Sequence, residues 1–489
     1  MKNNLKVISC VIFCLLFSLN VWWCNGETED VGAIMEKTEK EALYYAIQGF
    51  VGSLWNGSDL YPDPCGWTPI QGVSCDLINE FWYVTDLNIG PLHDNSLSCT
   101  QNPEFRPQIF ELKHLKSLSF FKCFVSPNNL FTLPTNNWEK LAPTLESLEF
   151  RSNPSLVGPI PSTFGNLKNL QSLVLIENGI TATFPTNIGN LVHLKRLVIS
   201  GNKFSGRIPE TLGNLKELLI LDLSRNALSG HLPISIGYLI SLLKLDLSNN
   251  MLVGNIPSNI GNLKSLTLLD LRGNNISGGL TRSIEEMDSL QELVLSSNPV
   301  GGDINNVDWQ KLQNLIILDL SNLGLSGEFP KSMIKLKKLR YVGLGNNHLT
   351  GDLPSDIANM PGVGAIYVNG NNLTGELKFS ETFYGRLGRR FGAWNNPNLC
   401  YTGGRALIGV LPCKSEEKLV KTNLKYGLGD ENGKLLQQHS AWITPITESN
   451  SLNPNSISSL GVYSSAIDGV WWVFLVESFM MVFLWNFFL

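Results

Sequence analysis

Charge is scarce in this chain. Only 16% of its 489 residues are Asp, Glu, Lys or Arg, and 37 basic side chains stand against 42 acidic ones. The net charge of -5 leaves no basic field for a phosphate backbone, which argues against nucleic acid as a partner. Hydrophobic residues make up 43%, too many for a disordered tail protein. Histidine is rarer still: His93, His114, His193, His231, His348 and His439 lie scattered, with no pair four residues apart. Metal-ligand spacing is therefore missing. No Gly-rich phosphate loop, kinase lysine or nucleophile elbow occurs either. These absences lead us to expect no enzyme, no cofactor and no metal. The cysteines number nine, too few for a disulfide miniprotein, but their placement is informative.

Both ends read as targeting segments. Lys2 and Lys6 precede an apolar run from Val7 to Trp23, then small residues and the polar Glu27-Thr28-Glu29-Asp30. That order is a secretory signal peptide, with cleavage expected after Gly26. At the other end, Val470 to Leu489 is apolar except for Glu477 and Asn486 and is long enough to span a bilayer. No basic flank follows it, whereas small residues and a polar spacer precede it. This favours a GPI-attachment signal, with Ser456 as the attachment site, over a spanning helix. A permanent span would also have to bury Glu477 at about 2 to 3 kcal/mol.

Between the ends one pattern recurs. Leu218, Leu221, Leu223 and Asn226 reappear as Leu242, Leu245, Leu247 and Asn250, and again as Leu266, Leu269, Leu271 and Asn274. The same frame starts at Leu145, Leu170, Leu194, Leu290, Leu315, Leu339 and Val363, a spacing of about 24 residues. An irregular copy begins at Leu115, with Cys123 in the asparagine position, and a degenerate one near Val84. This is the leucine-rich repeat. Each copy offers a short strand whose leucines point inward, and the asparagine amide can serve backbone groups left open by the turn. Stacked copies build one parallel sheet and a common core that no single copy has. Leu323 interrupts the asparagine column. A second signature, Gly-x-Ile-Pro, recurs at Gly206, Gly230, Gly254, Gly327 and Gly351. It resembles the plant-specific repeat class, which implies a second strand per copy. The fold expected is α/β, a leucine-rich-repeat solenoid of plant-specific 24-residue repeats with disulfide-bonded N- and C-terminal caps.

Six cysteines remain after the signal, and 15 pairings are formally possible. Their spacing suggests three local pairs: Cys65 with Cys75, Cys99 with Cys123, and Cys400 with Cys413. Cys123 can equally be a buried stand-in for asparagine, which leaves the middle pair open. Pro62-Asp63-Pro64-Cys65-Gly66-Trp67 resembles the N-terminal cap of plant leucine-rich-repeat receptors, and Asn395-Asn396-Pro397-Asn398-Leu399-Cys400 the C-terminal one. Stretches outside the repeats are more specific. Trp55 to Tyr61, Glu104 to Gln108, Phe110 to Leu115 and Leu145 to Pro154 resemble the Piriformospora indica-insensitive protein family, kinase-less plant leucine-rich-repeat proteins of the plasma membrane. The resemblance runs from about Glu39 to Cys413 and implies a role in responses to a root-colonising fungus.

Strand residues flanking the leucines face the concave side by alternation. Ile220, Leu268 and Ile317 are apolar there, beside Lys244, Arg272, Glu292, Tyr341 and Tyr367. Such a mixture suits a protein or peptide ligand. Asp222, Asp246, Asp270 and Asp319 share one position, interrupted by Val294, and read as structural or surface residues rather than a Ca²⁺ or acid-catalytic row. Asn56, Asn275 and Asn372 begin glycosylation sequons. The organisation expected is a signal peptide over 1–26, an N-terminal cap over 27–84 and repeats over 85–385. A C-terminal cap over 386–413, a flexible stalk over 414–468 and a membrane-anchoring tail over 469–489 follow. The function expected is a cell-surface receptor-like or co-receptor protein at the extracellular face of the plasma membrane, with a receptor kinase supplying the cytoplasmic signal. The alternative is a cell-wall inhibitor or scaffold of the polygalacturonase-inhibitor type.

Overall fold

The computed structural model describes residues 34–91, 96–402 and 406–413. The expected signal peptide, stalk, apolar tail and attachment site at Ser456 lie outside the described residues. Among those described, no helix is long and apolar enough to cross a membrane.

One 15-stranded sheet runs through the described chain, and in its repeat region each copy supplies one short strand. Strand Ile220–Asp222 shows how a copy makes it. Leu221 and Leu223 point inward and are fully buried, while Ile220 and Asp222, alternating with them, stay half-exposed on the outer face. Neighbouring strands are parallel and in register, Leu197 beside Leu221 beside Leu245 beside Leu269. Every strand therefore adds its leucines to one continuous core, which is why no copy can bury its leucines without a neighbour.

After each strand the chain turns through a left-handed residue, such as Arg225 or Asn249 with φ 54°. The asparagine that follows closes the turn. Asn250 Nδ2 donates to the carbonyls of Leu223, Leu247 and Ser248 at 3.0, 3.0 and 3.2 Å. Its Oδ1 accepts from the Leu228 amide at 3.0 Å. A buried carbonyl left without a donor would cost about 1 to 3 kcal/mol, so one short amide per copy is a strong requirement. The column starts at Asn153 and ends at Asn396. At its gap, Asn347 Oδ1 takes the amides of both Leu323 and Leu325, each at 3.0 Å.

The Gly-x-Ile-Pro segment does make a second strand. Thr181–Ala182, Lys203–Gly206, Ala227–His231, Met251–Gly254 and Asn275–Ile276 form a five-stranded parallel sheet. Gly254 is at φ 80°, and a side chain there would run into the His231 ring, so glycine is required. The proline then leads into a 3-10 turn, as Pro257 does before Ser258–Asn262.

The ends depart from the repeat. Helix Lys37–Val51 buries Leu43, Ala46, Ile47 and Phe50 completely. A hairpin, Val73–Ile78 with Phe81–Ile89, turns at Asn79 and Glu80, both at positive φ, and its second strand pairs with Ser117–Phe121 to start the parallel run. That second strand crosses the 84/85 boundary drawn from sequence. Phe50, Phe105, Phe120, Phe124 and Phe150 fill the core where leucines would be, with ring centroids 4.9 to 6.4 Å apart. Bulk from aromatic rings replaces the regular leucine layer here. Cys65–Cys75 and Cys99–Cys123 close this end, and Cys400–Cys413 the other. Cys123 is thus a bonded cysteine and its amide is held by Asn153 Oδ1 at 2.8 Å. At the C-terminal end, helix Glu381–Leu387 spans the 385/386 boundary, and Phe391–Gly392 supplies the last strand of the long sheet. Repeat and cap are one structure there.

Candidate ligand-binding face

The outer face of the long sheet carries its side chains in columns set by the register. Arg196, Ile220, Lys244, Leu268, Glu292, Ile317 and Tyr341 are successive Cα partners and form the first column. Six residues picked out from sequence, Ile220 to Tyr341, therefore do lie together, each half-exposed. Tyr367 belongs to the next column, two residues along, with Asp222, Asp246, Asp270 and Asp319. Arg272 stands one pleat beyond Asp270.

The aspartates hold turns. Asp222 Oδ1 accepts from the Ser224 amide at 3.1 Å and its hydroxyl at 2.7 Å, and Asp246 does the same for Ser248 at 3.1 and 2.7 Å. Asp319 repeats the motif on Ser321 at 3.1 and 2.5 Å. Asp270 instead accepts from the Arg272 amide at 3.0 Å. Such local bonds rigidify the strand end. Among the described residues no group of three or more His, Cys, Asp or Glu could hold a metal ion.

Charge on this face is mostly matched within the protein. Lys244 Nζ lies 3.0 Å from Asp222 and 3.5 Å from Asp246. Burial alone would lower its ammonium, but the two carboxylates outweigh burial and hold it above its ordinary value. Arg272 sits 3.0 Å from Asp270. Even so, burial, followed by the Asp246 charge, pushes the Asp270 carboxyl up to about 7. Burial raises Glu292 as well, with Lys244 and Arg272 opposing it. The Tyr341 phenol is raised by burial and by Asp319.

Toward the C-terminal cap the face turns aromatic. The Tyr341 and Tyr367 rings lie 5.9 Å apart, and Tyr367 meets Trp394 edge-on at 6.4 Å. Trp394, Arg151 and Arg196 are members of this face that the sequence reading passed over. Arg196 was accessible: it precedes Leu197 as Ile220 precedes Leu221. Trp394 was not, because only the strand Phe391–Gly392 shows that the sheet continues into the cap. Asn56, Asn275 and Asn372 are all exposed, as glycan acceptors must be, and Asn275 is on the second sheet, away from this face.

The leucine-rich repeat region family matches residues 183–298, and the Leucine Rich Repeat family residues 338–360. Piriformospora indica-insensitive protein 2 of Arabidopsis thaliana is 58% identical over 173 residues, 34% of this chain and 40% of that protein. Receptor like protein 29 of the same plant is 35% identical over 183 residues, 36% of this chain and 37% of that protein. The matched stretches thus span well under half the length of these relatives. Among solved structures, the plant peptide hormone receptor RGFR1 in complex with RGF2 aligns with TM-score 0.56 and 29% identity, covering 64% of this chain and 48% of that one. The ectodomain of the Arabidopsis receptor kinase HAESA, in complex with an IDA peptide hormone, aligns with TM-score 0.54 and 28% identity, covering 74% and 61%. Repeat frame, caps and relatives together give this chain a leucine-rich-repeat solenoid fold, similar to Piriformospora indica-insensitive protein 2 over the matched third of its length.

Proposed function

We propose that this protein captures an extracellular protein or peptide on the outer face of the long sheet, as a cell-surface receptor or co-receptor in plant–microbe or developmental signalling. The observation that carries this reading is the first column. From Ile220 to Tyr341 apolar, charged and aromatic side chains alternate along one line, at about 4.8 Å per strand. Half-exposed side chains of that mixture fit the core of a protein interface. The likeness to RGFR1 and HAESA, both solved with a peptide bound, supports a peptide-type occupant. Similarity to Piriformospora indica-insensitive protein 2 supports the plant–microbe context. A receptor kinase would supply the cytoplasmic signal, and the apolar segment 469–489 would hold the chain at the plasma membrane, through a lipid attached at Ser456.

Two measurements test this. The tagged full chain and its Ile220→Asp/Ile317→Asp variant are displayed on plant cells and treated with a surface cross-linker. A cross-linked species present with the first and absent with the second, at equal surface level, is expected; its survival in the variant would move the interface elsewhere. Phosphatidylinositol-specific phospholipase C should release the chain from intact cells. Retention after complete digestion would replace the lipid with a spanning helix. A chain already free in the wall would favour the inhibitor reading.

A further inference from the structure

We propose that the stretch of this face from strand Ser147–Arg151 to strand Arg196–Val198 reads an acidic side chain of the bound peptide or protein, taking its carboxylate against the Arg196 and Arg151 guanidiniums. This rests on the docking role of the face and names the chemistry of one position on the occupant.

Arg196 stands in line with the first column, between Ser172 and Ile220 as Cα partners. Its Nε is buried with no hydrogen-bond partner, and its guanidinium makes no ion pair among the described residues. The carboxylate that influences it, Asp222, is already committed: Oδ1 to Ser224 and Oδ2 to Lys244 at 3.0 Å. Arg151 is held by the Glu149 carboxylate, and it feels Arg196 as a like charge; burial first, then that repulsion, holds it below its ordinary value. Two half-buried cations thus share a patch in which the one carboxylate bonded to either belongs to Glu149.

What lies between them is uncharged. Strand Ser172–Ile176 presents Ser172, Val174 and Ile176 to the same side. Val174 faces outward by alternation, yet it is fully buried, so neighbouring side chains close over it. A guanidinium lying on such apolar floor loses solvent and gains nothing in exchange until an acceptor arrives. Its planar fork is matched by a carboxylate, which can take two parallel N–H bonds at once. Ser147 and Ser172, in line with Arg196, have hydroxyls with no hydrogen-bond partner among the described residues and can add neutral donors. Farther along, Lys244 and Arg272 are already paired inside the protein. The complement is accordingly one acidic residue flanked by apolar ones, placed ahead of the segment that covers Ile220.

The probe is a library of random peptides displayed on phage, selected against the full chain on cells. Selected peptides should carry Asp or Glu at a recurring position. Changing that residue to Asn or Gln should weaken binding roughly thirty-fold, the loss expected when one partner of a buried charge pair is removed. Arg196→Gln should produce the same loss, the two changes together no more, and Arg196→Lys only part of it. Melting of Arg196→Gln without peptide should be unchanged or higher, since the free chain holds an unpaired donor there. Peptides that lose affinity with Ile220→Asp but not with Arg196→Gln would overturn acid reading and leave docking intact. Peptides indifferent to both would overturn both. An Arg196→Gln chain that melts lower and weakens acidic and neutral peptides alike would show that Arg196 only supports the fold.

Discussion

Two columns of side chains repeat along the array, one on the outer face of the strands and one turned inward just after them, and they are filled by opposite rules. On the inner side asparagine returns copy after copy, from Asn153 to Asn396, with Leu323 the one interruption between them. On the outer side Arg196, Ile220, Lys244, Leu268, Glu292 and Ile317 change class at nearly every step. Backbone spacing is identical for both, so geometry alone cannot explain the contrast. The inner position must donate to carbonyls of its own and the preceding copy and accept an amide, within a space sized for a short side chain. An amide alone has that combination of two donors and an acceptor on so short a stem. The outer position has no such duty. Its content is free to serve a partner, and in a repeat protein that freedom, more than exposure, marks the functional surface.

The comparison can be broken first at its end. Asn396 belongs both to the inner column and to the segment that Cys400–Cys413 ties down. Cys400→Ser should cost about 2 to 5 kcal/mol, concentrated where the terminal copies have a neighbour on one side only. Hydrogen exchange should accelerate at Leu373 and Val368 and leave Leu221 and Leu245 unchanged. Equal protection at the last two copies would show that the disulfide is dispensable. Next comes the column itself. Asn250→Ala strips partners from three carbonyls and one amide in the middle of the array. A loss of about 2 to 3 kcal/mol is expected in denaturant unfolding, and a loss below about 0.5 kcal/mol would refute the inner rule.

How much of this was legible beforehand follows the same division. The inner rule is periodic, so the repeat frame, the asparagine column and the two outer cysteine pairs could be read from spacing, whereas the second strand leading into each Gly-x-Ile-Pro came from the resemblance to the plant-specific class and the middle pair stayed open until Cys99 and Cys123 were seen bonded. The outer columns needed register across copies of unequal length, which sets Tyr341 and Tyr367 in adjacent columns. The ends were least legible. Helix Glu381–Leu387 and strand Phe391–Gly392 carry no leucine frame, and the phenylalanine cluster around Phe105 replaces leucines by bulk rather than by period. Arg196 could be placed from its position in the frame, but that its guanidinium is unpaired is a property of its surroundings.

Asp270 offers a smaller test, because it is an outer residue with an inner degree of burial, 4% exposed. Its carboxyl is raised from 3.8 to about 7 in the fold. The folded state therefore binds more protons than the unfolded one between those values, and stability falls as pH rises through that window. Asp270→Asn removes the titration while keeping an acceptor for the Arg272 amide. Its stability profile should be flatter from about pH 4 to pH 7, and above that window it should exceed the wild type by about 1 to 2 kcal/mol. A variant with an unchanged slope would assign the pH dependence to other groups, Glu39 first among them, since burial raises it to about 7 as well.

The smallest expected effect is the sharpest discriminator. Ile317 sits in the first column between Glu292 and Tyr341, half-exposed, while Leu318 beside it in the chain is fully buried. Ile317→Ser removes apolar surface that folding has only partly withdrawn from water and leaves every ladder bond in place. Its effect on unfolding should stay within about 0.5 kcal/mol, as for an ordinary surface change, whereas Leu318→Ala, one residue along, should cost about 2 to 5 kcal/mol. Partner capture should show the reverse order of interest: Ile317→Ser weakens it at unchanged fold. The argument is that an apolar side chain kept at a position free of structural duty is retained for contact. If Ile317→Ser proves as destabilising as a core truncation, the outer column carries the fold after all, and its composition says nothing about what binds there.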